Sequence, residues 1–338
     1  MRGSTRVAAR LALTMCLVAG GASGCQRDAP PPSSGPWRVT VLEPVDPAPP
    51  FDLAGAVRAG AHTAGLADET WTVLSSPAAG LAGQIGSTPS SGVDVVVAIS
   101  SAGLTAALAS GRPTVFTGVV DPAAAGARQA GRLARWLPWF FPPSAAPVTG
   151  VTAATDFATM LELATPLLTR TRVGAVQASG DADSVALAAQ LRDAAGRAGI
   201  EAVFESASAP GDAAAAVARL CGARIGALVA LGDRSTDAAL GALADGARVC
   251  GVPLLGTRRP HAAAGALLTL ARDERGAARE AGRRLAQMLR EPTRLPPPFA
   301  EHAGALLLLN AAAAEQLDVG LPLGLVERAD EMLGEEQP

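Results

Sequence analysis

Two residue types are missing from this 338-residue chain, and each absence excludes a class of chemistry. There is no tyrosine, and all 28 residues of the lysine-plus-arginine count are arginines. Without lysine, a chain cannot form a Schiff base with pyridoxal phosphate or supply the lysine of a Walker-type phosphate loop. Without tyrosine, it has no phenolic acid or nucleophile. Codon bias is the simplest cause of both absences, but the chemical exclusions stand whatever the cause.

Motifs for metal binding and catalysis are also missing. His62, His261 and His302 lie far apart in sequence, so their spacing predicts no metal site. The segment 99–103 lacks the first glycine of a Gly-x-Ser-x-Gly elbow. The first predicted strand runs into Glu43-Pro44-Val45-Asp46 instead of a Gly-x-Gly-x-x-Gly loop. We therefore expect a protein that is not an enzyme and has no metal or cofactor.

Apolar residues, in contrast, are abundant. They make up 49% of the chain and charged residues only 17%, which indicates a large core and not a disordered protein. The length suits two domains. The net charge is −3 and no arginine-rich segment is interleaved with aromatics, so we expect no nucleic-acid partner.

The first 25 residues have the pattern of an export signal. Arg2, Arg6 and Arg10 precede a short apolar stretch, and Ala22-Ser23-Gly24-Cys25 ends it with small residues and a cysteine. The stretch is too short to span a bilayer, so we predict a cleaved signal peptide. The ending resembles a bacterial lipobox, which would make Cys25 the lipidated first residue. The alternative is an ordinary signal peptide with an incidental cysteine.

Residues 26–35 are rich in proline and serine, a composition typical of an extended tether. We therefore expect a protein of the bacterial cell envelope, attached to a membrane through a lipid on Cys25 and without a transmembrane helix. Only Cys221 and Cys250 then remain in the folded body, each at the end of a predicted helix. They could pair in an oxidising compartment or remain as two buried thiols.

From Arg38 onward, predicted strands and helices alternate almost without interruption. Within the predicted strand Val93–Ile99, residues 95–99 are an unbroken apolar run, as expected for a central parallel strand that is buried on both faces. The fold class is α/β, with two parallel sheets that have helices on both faces. Ligands of such sheets bind at the carboxyl ends of the strands, so function is expected in the loops that follow them.

The segment 121–147 interrupts this alternation with several prolines and an aromatic cluster, Trp136, Trp139, Phe140 and Phe141. The cluster could cover a cleft or contact a partner. We favour a small satellite core, because a segment that crosses between lobes must bury something.

One segment carries a resemblance to a known family. Val115-Phe116-Thr117-Gly118-Val119-Val120-Asp121-Pro122, followed by Gly126, is similar to a pattern of the extracytoplasmic substrate-binding proteins of ABC transporters. These proteins share the type I periplasmic-binding-protein fold, and the similar subfamily includes binders of aromatic amino acids. Further matches are 94–99, 148–151, 183–185 and 265–266. The resemblance extends over about Val39–Leu333.

The resemblance implies two Rossmann-like lobes that are joined by a three-crossover hinge and close on a ligand. The first lobe would comprise 36–121 plus 265–291, and the second 122–264 plus 292–338. It also implies a small-molecule solute and an ABC permease as partners, and we expect a monomer. Hinge closure around the solute would give the form that a permease recognises.

The resemblance also places candidate ligand residues. Ser100 and Ser101 stand where the family usually has Gly-Thr, at a helix start whose hydroxyl and N–H groups suit a carboxylate. Alternatively, Ser100 only caps that helix. Thr117 and Asp121 follow the next strand, and Asp121 could bind an amine or brace the crossover.

In the second half, Asp183 and Ser184 replace the family's Asn-Ser at a helix start, where N-capping is the alternative role for Asp183. Asp233 matches the family's aspartate after the strand that ends at Leu231, and is our first choice for contact with an amino group.

Several positions depart from the family pattern. Arg258 stands where the family commonly has aspartate, and would favour a ligand carboxylate or phosphate, unless it lies exposed at the rim. The family's Asp-Tyr-Tyr is here Asp273-Glu274-Arg275, and its Tyr-Asn-Pro is Gln177-Ala178-Ser179. The loss of these aromatic residues argues against an aromatic ligand.

The favoured hypothesis is a lipoprotein that binds an amino acid or small carboxylate for an ABC importer. The alternative is a degenerate homologue that senses a ligand or binds an envelope partner without transport.

Overall fold

The computed structural model describes residues 36–45, 51–67, 69–89, 92–129, 146–153, 155–292, 294–302 and 304–334. The predicted signal peptide, Cys25 and the tether lie outside the described residues, as do Trp136, Trp139, Phe140 and Phe141. No helix in the described part of the chain has the length and apolar character needed to cross a membrane.

Six strands form the first sheet, in the order β11-β5-β4-β3-β1-β2, with all neighbours parallel. The central strand β3 is Val-Val-Val-Ala-Ile, and all five of its residues are buried, because helices cover both faces of the sheet. The strands are β1 Trp37–Pro44, β2 Glu69–Ser76, β3 Val95–Ile99, β4 Thr114–Val119, β5 Val148–Thr152 and β11 Ala300–Glu301. The helices that pack on them are α1 Leu53–Thr63, α2 Leu81–Ser87, α3 Ser100–Ala109 and α10 Glu274–Arg290.

Seven strands form the second sheet, in the order β13-β12-β10-β9-β8-β6-β7, and only the β10–β12 pair is antiparallel. The strands are β6 Arg172–Ala178, β7 Glu201–Ala207, β8 Ala227–Val229, β9 Leu254–Gly256, β10 Leu268–Arg272, β12 Ala305–Asn310 and β13 Glu331–Leu333. The associated helices are α4 Phe157–Ala164, α5 Ala182–Arg197, α6 Ala213–Gly222, α7 Arg234–Ala238, α8 Leu240–Cys250, α9 Arg259–Ala263, α11 Ala311–Gln316 and α12 Leu323–Val326.

Strand pairing assigns some segments to lobes differently from the predicted boundaries. Strand β5 pairs with β4 and so completes the first sheet, although it falls within the range predicted for the second lobe. Strand β10 pairs with β9 and β12 in the second sheet, although we placed residues from 265 onward in the first lobe. Strand β11 returns to the first sheet beside β5. Backbone hydrogen bonds between distant strands decide these memberships, and local sequence patterns do not reveal them.

With these assignments, the chain passes between the two sheets three times: between β5 and α4, between β10 and α10, and between β11 and β12. We call the sheet with α1, α2, α3 and α10 the first lobe, and the other sheet with its helices the second lobe.

The two helices α7 and α8 lie between β8 and β9, and the short helix α9 follows β9. Strand β13 is the last element of the described part of the chain, and its Glu331 forms an ion pair with Arg259.

Helices α1 and α10 pack with their backbones in close approach on the first sheet. A Cβ added at Gly282 would lie 1.9 Å from the carbonyl oxygen of Val57, and one added at Gly60 would lie 2.0 Å from the carbonyl oxygen of Arg279. Glycine at both positions therefore lets helices more than 200 residues apart in sequence meet along one side of the lobe.

A disulfide joins Cys221 to Cys250 across the carboxyl ends of α6 and α8, with a Cα–Cα distance of 5.7 Å. It closes a loop of 29 residues that contains β8 and α7. By the loop-entropy model, such a bond stabilises the fold by about 3 kcal/mol.

Candidate functional site

A cavity of about 340 Å³ lies between the two sheets, and its lining comes mainly from the carboxyl ends of their strands. We call the lining residues that follow strands of the first sheet the first wall, and those that follow strands of the second sheet the second wall. Of the eight predicted ligand residues, seven line this cavity: Ser100, Ser101, Thr117, Asp121, Asp183, Asp233 and Arg258. Ser184 does not line it.

The first wall is centred on the start of helix α3. Ser100 has a φ of +83°, a left-handed conformation that costs a residue with a Cβ about 1–2 kcal/mol. This bend turns the chain from β3 directly into α3. The hydroxyl of Ser100 accepts only a long bond, 3.4 Å, from the N–H of Gly103, which makes it a weak cap for the helix.

Ser101 connects the two walls. Its hydroxyl donates a 2.7 Å hydrogen bond to the carboxylate of Asp183, which lies on the second wall. Asp183 is not the N-cap of α5: that role belongs to Asp181, whose carboxylate accepts the N–H of Asp183 at 3.0 Å. Burial raises the pKa of Asp183, and the charge of Asp181 acts in the same direction.

Asp233 is the N-cap of α7, and its carboxylate accepts hydrogen bonds from the N–H and hydroxyl of Thr236 at 2.9 and 2.8 Å. Asp233 is only 3% exposed, and this burial raises the pKa of its carboxyl group. Ser184 is fully buried behind it and accepts the N–H of Ala178, so it supports the loop after β6 from outside the cavity.

Thr117 and Asp121 belong to the first wall. Thr117 lies near the end of β4 and is buried. The carboxylate of Asp121 accepts the N–H groups of Ala123 and Ala124, at 2.9 and 3.0 Å. Asp121 therefore braces the turn that follows β4, which is not one of the three crossovers.

Arg258 forms its ion pairs with acidic side chains of the protein itself. Its side chain is 15% exposed and forms ion pairs with Asp237 and, at 2.8 Å, with Glu274. Behind it, the buried imidazole of His261 accepts the N–H of Thr257 at Nδ1, which leaves Nε2 to donate to Asp237. The guanidinium thus lies in a fixed network and not at an exposed rim.

The sequence reasoning missed Arg272, the last residue of β10. Its guanidinium donates to the carbonyl oxygens of Ala153 and Gly232, at 3.3 and 3.1 Å, and lies 3.6 Å from Glu274. Its buried Nε has no hydrogen-bond partner in the described part of the chain. Burial lowers the pKa of this guanidinium. Its position at the end of a strand was the available signal.

The three crossovers are hydrogen-bonded to one another at the side of the cavity. Arg272 donates to Thr155 of the first crossover at 3.3 Å, and the N–H of Asp273 donates to the carbonyl oxygen of Gly304 in the third. The imidazole of His302 also bonds to the carboxylate of Asp273 at 3.0 Å. Among the described residues, no group of histidine, cysteine and acidic side chains is arranged to bind a metal ion.

The whole geometry is that of a ligand cleft between two lobes, and the sequence comparisons agree with it. The profile of a family described as ABC transporter substrate binding protein matches residues 80–333. The chain belongs to this family. This match confirms the resemblance noted in the sequence. Members of the family bind solutes and are not enzymes, and this chain is one of them. No curated protein sequence matches the chain.

Solved structures with low sequence identity share its fold. A conserved domain protein from Vibrio cholerae is 21% identical, with a TM-score of 0.71, over 88% of this chain and 99% of that one. An ABC domain in complex with L-Trp from Streptococcus pneumoniae is 17% identical, with a TM-score of 0.74, over 88% and 100%. A ligand-free, open substrate binding protein with adhesive properties from Clostridium difficile is 17% identical, with a TM-score of 0.63, over 88% and 100%. These structural matches confirm the predicted type I periplasmic-binding-protein architecture of this chain.

Proposed function

We propose that this substrate-binding protein captures a small organic solute, an amino acid or small carboxylate, between its two lobes and delivers it to an ABC importer. The observation that carries the proposal is the cavity between the sheets, which is bordered by strand ends from both lobes. Its volume of about 340 Å³ suits a solute of amino-acid size.

Opposed groups in the cavity support an amino acid in particular. Asp183 and Asp233 offer carboxylates to an ammonium group. The start of α3 offers N–H donors to a carboxylate, as does the Nε of Arg272, which has no hydrogen-bond partner among the described residues. The hydrogen bond from Ser101 to Asp183 crosses the cleft, so it contributes to the closed arrangement in which a permease would meet the loaded protein.

The location we propose is the periplasmic side of the bacterial cell envelope, where a lipid on Cys25 and a tether over residues 26–35 attach the protein to a membrane. We propose that the protein acts as a monomer. Cys25→Ser should move the protein from the membrane fraction to the soluble fraction and remove the acyl mass from its mature N-terminus. An acylated, membrane-bound Cys25→Ser protein would contradict the anchor.

A solute screen tests the function. Thermal unfolding with each amino acid and with small carboxylates should identify at least one compound that raises the Tm, since ligand at 100 times its Kd adds about 2.7 kcal/mol. Calorimetry then gives the Kd, and Ser101→Ala should weaken binding about 2- to 10-fold through loss of the bond across the cleft.

The matched control is Ser110→Ala, at the other end of α3, whose hydroxyl bonds to Ala107 away from the cavity. This variant should bind solute like the wild type. If no compound raises the Tm while a partner protein co-purifies, the solute-receptor proposal fails in favour of the partner-binding alternative.

A further inference from the structure

Among the described residues, six carboxylates line the cavity, and three of them are paired with cationic side chains or with backbone N–H groups of the turn that they begin. Glu274 is paired with Arg258 and lies near Arg272. Asp273 is bonded to His302. Asp121 accepts two backbone N–H groups of the turn that follows it.

The other three, Asp181, Asp183 and Asp233, all belong to the second wall and have no cationic partner within 4.0 Å in the described ranges. Their hydrogen bonds come from uncharged groups: hydroxyls and backbone N–H groups at the starts of α5 and α7 and at the start of α3. We call these three residues the aspartate cluster.

The nearest arginines neutralise the aspartate cluster only in part. Arg258 is shared between Asp237 and Glu274. Arg272 donates to backbone carbonyls and lies beside Glu274, and its charge offsets the effect of burial on the Asp183 carboxyl only to a small extent. Arg234 also lines the cavity but is exposed. The second wall therefore presents an excess of negative charge.

This excess is costly without a ligand, because burial disfavours the charged form of a carboxyl group. Burial accordingly raises the pKa of both Asp183 and Asp233, and the neighbouring charge of Asp181 adds to the shift. A bound ammonium or guanidinium group would supply the missing positive charge.

The opposite side of the cavity has a different character. The first wall and the start of α10 contribute aliphatic side chains: Pro44, Leu53, Ala78, Ile99, Ala102 and Ala277. Among the described residues, no phenylalanine or tryptophan lines the cavity, so the described lining favours an aliphatic ligand. The Nε of Arg272, which has no hydrogen-bond partner among the described residues, is a donor for a ligand oxygen.

We propose that the solute is an aliphatic amino acid with a second cationic group, such as ornithine, lysine or arginine. Its ammonium and side-chain cation would face the aspartate cluster, its carboxylate would face Arg272 and the start of α3, and its methylene groups would lie along the first wall. This inference rests on the proposed function, since it specifies the solute of the same cavity.

Charge-matched ligand pairs test it by calorimetry on the wild-type protein. L-arginine should bind at least about 10-fold more tightly than L-citrulline, and L-lysine than L-norleucine, because each pair differs chiefly in side-chain charge, and a hydrogen bond to a charged group is worth about 1.5–3 kcal/mol. L-glutamate should bind more weakly than either cationic amino acid.

Variants of the aspartate cluster then test whether these residues cause the preference for cationic amino acids. Asp181→Asn and Asp233→Asn retain an N-cap side chain and should fold, but each should reduce affinity for the cationic amino acid about 10-fold or more. Each should reduce affinity for the neutral analogue by a smaller factor, because the analogue keeps the α-ammonium but has no side-chain cation to lose. The control Asp245→Asn, an exposed aspartate of α8, should change neither.

The outcomes separate the two proposals. If a neutral or acidic amino acid binds as tightly as the cationic ones, or if both cluster variants keep the preference, the cationic-solute inference is overturned while the solute-binding function stands. If no amino acid or carboxylate of any charge binds, the proposed function is overturned and the inference with it.

Discussion

The two walls of the cavity are built by different means. The first wall is largely aliphatic, with a few polar members such as Thr117 and Asp121, and it includes the start of one helix, where Ser100 has a left-handed conformation. The second wall has most of the charged side chains of the cavity. Behind it, a network of buried hydrogen bonds runs from His261 through Asp237 to Arg258 and Glu274.

Because of this difference, the two walls contribute differently to the choice of solute. Aliphatic contact is tolerant of solute shape, whereas buried charges that are fixed in position discriminate strongly by solute charge. We therefore expect selectivity to come mainly from the second wall, and substitutions there to have larger effects than substitutions at equivalent positions of the first wall.

The largest effect should come from Gly232→Ala. Gly232 has a φ of +79°, and a Cβ there would lie 2.3 Å from the hydroxyl of Thr257 and 3.1 Å from the Arg258 side chain. Thr257 cannot move away easily, because its hydroxyl is buried and donates to the carbonyl oxygens of Ala230 and Leu231. We expect a loss of about 2–4 kcal/mol in the free energy of unfolding, measured by urea denaturation.

Gly118→Ala on the first wall is the matched control. Gly118 also has a positive φ, +70°, but its added Cβ would meet only the backbone nitrogen of Ser100, at 3.7 Å. Gly118→Ala should lower the free energy of unfolding by about 1 kcal/mol, the strain of a left-handed backbone at a residue with a Cβ. Equal losses in the two variants would contradict the stated difference in packing between the walls.

A smaller loss of stability should come from His261 when the pH is lowered. Burial, together with the charges of Arg258 and Arg272, lowers the pKa of His261 from 6.5 to about 3. The folded protein thus binds fewer protons than the unfolded chain, so its stability is greatest above pH 6.5 and falls as the pH drops toward 3. The loss from this residue should be about 2 kcal/mol between pH 7 and pH 5.

Urea unfolding at both pH values measures this loss, and His261→Gln should remove most of it. His62→Gln is the control, since the His62 side chain is 47% exposed at the end of α1. It should leave the acid sensitivity largely in place. Identical pH dependence in the wild type and in His261→Gln would show that acid destabilises the protein elsewhere.

The smallest effect should come from Ser100→Gly on the first wall. Glycine removes the left-handed strain of about 1–2 kcal/mol but costs about 0.5–1 kcal/mol of backbone entropy in the unfolded chain. We expect a net gain of about 0.5 kcal/mol in thermal or urea unfolding. Ser101→Gly, one residue later inside the helix, should instead destabilise the protein. A loss of stability in both variants would rule out strain at Ser100.

Much of the fold was predictable because its signals are local. Apolar runs such as Val95–Ile99 identified the buried strands, and the alternation with helices gave the fold class. The expected Gly-Thr of the family also pointed to Ser100, and the structure supplies the reason, a φ that glycine adopts without strain. The lobe boundaries were not predictable, because sheet membership of β5 and β10 depends on pairing between distant strands.

The site was predictable as a set of positions but not as a set of roles. Strand ends located seven of the eight candidates on the cavity. The chemistry depended on contacts between segments far apart in sequence: Arg258 with Glu274, and Ser101 with Asp183. Arg272 was missed because an arginine at the end of a strand is more often exposed, and only the crossovers around it make it buried.

The packing of α1 against α10 constrains when the protein can fold. The first lobe begins at β1 but lacks α10 and β11 until residue 301 has been synthesised. Gly60 and Gly282, which let α1 and α10 meet, are separated in sequence by the second-lobe elements from α4 to β10. The order of the chain thus delays completion of the first lobe, because contacts between segments so far apart in sequence form late.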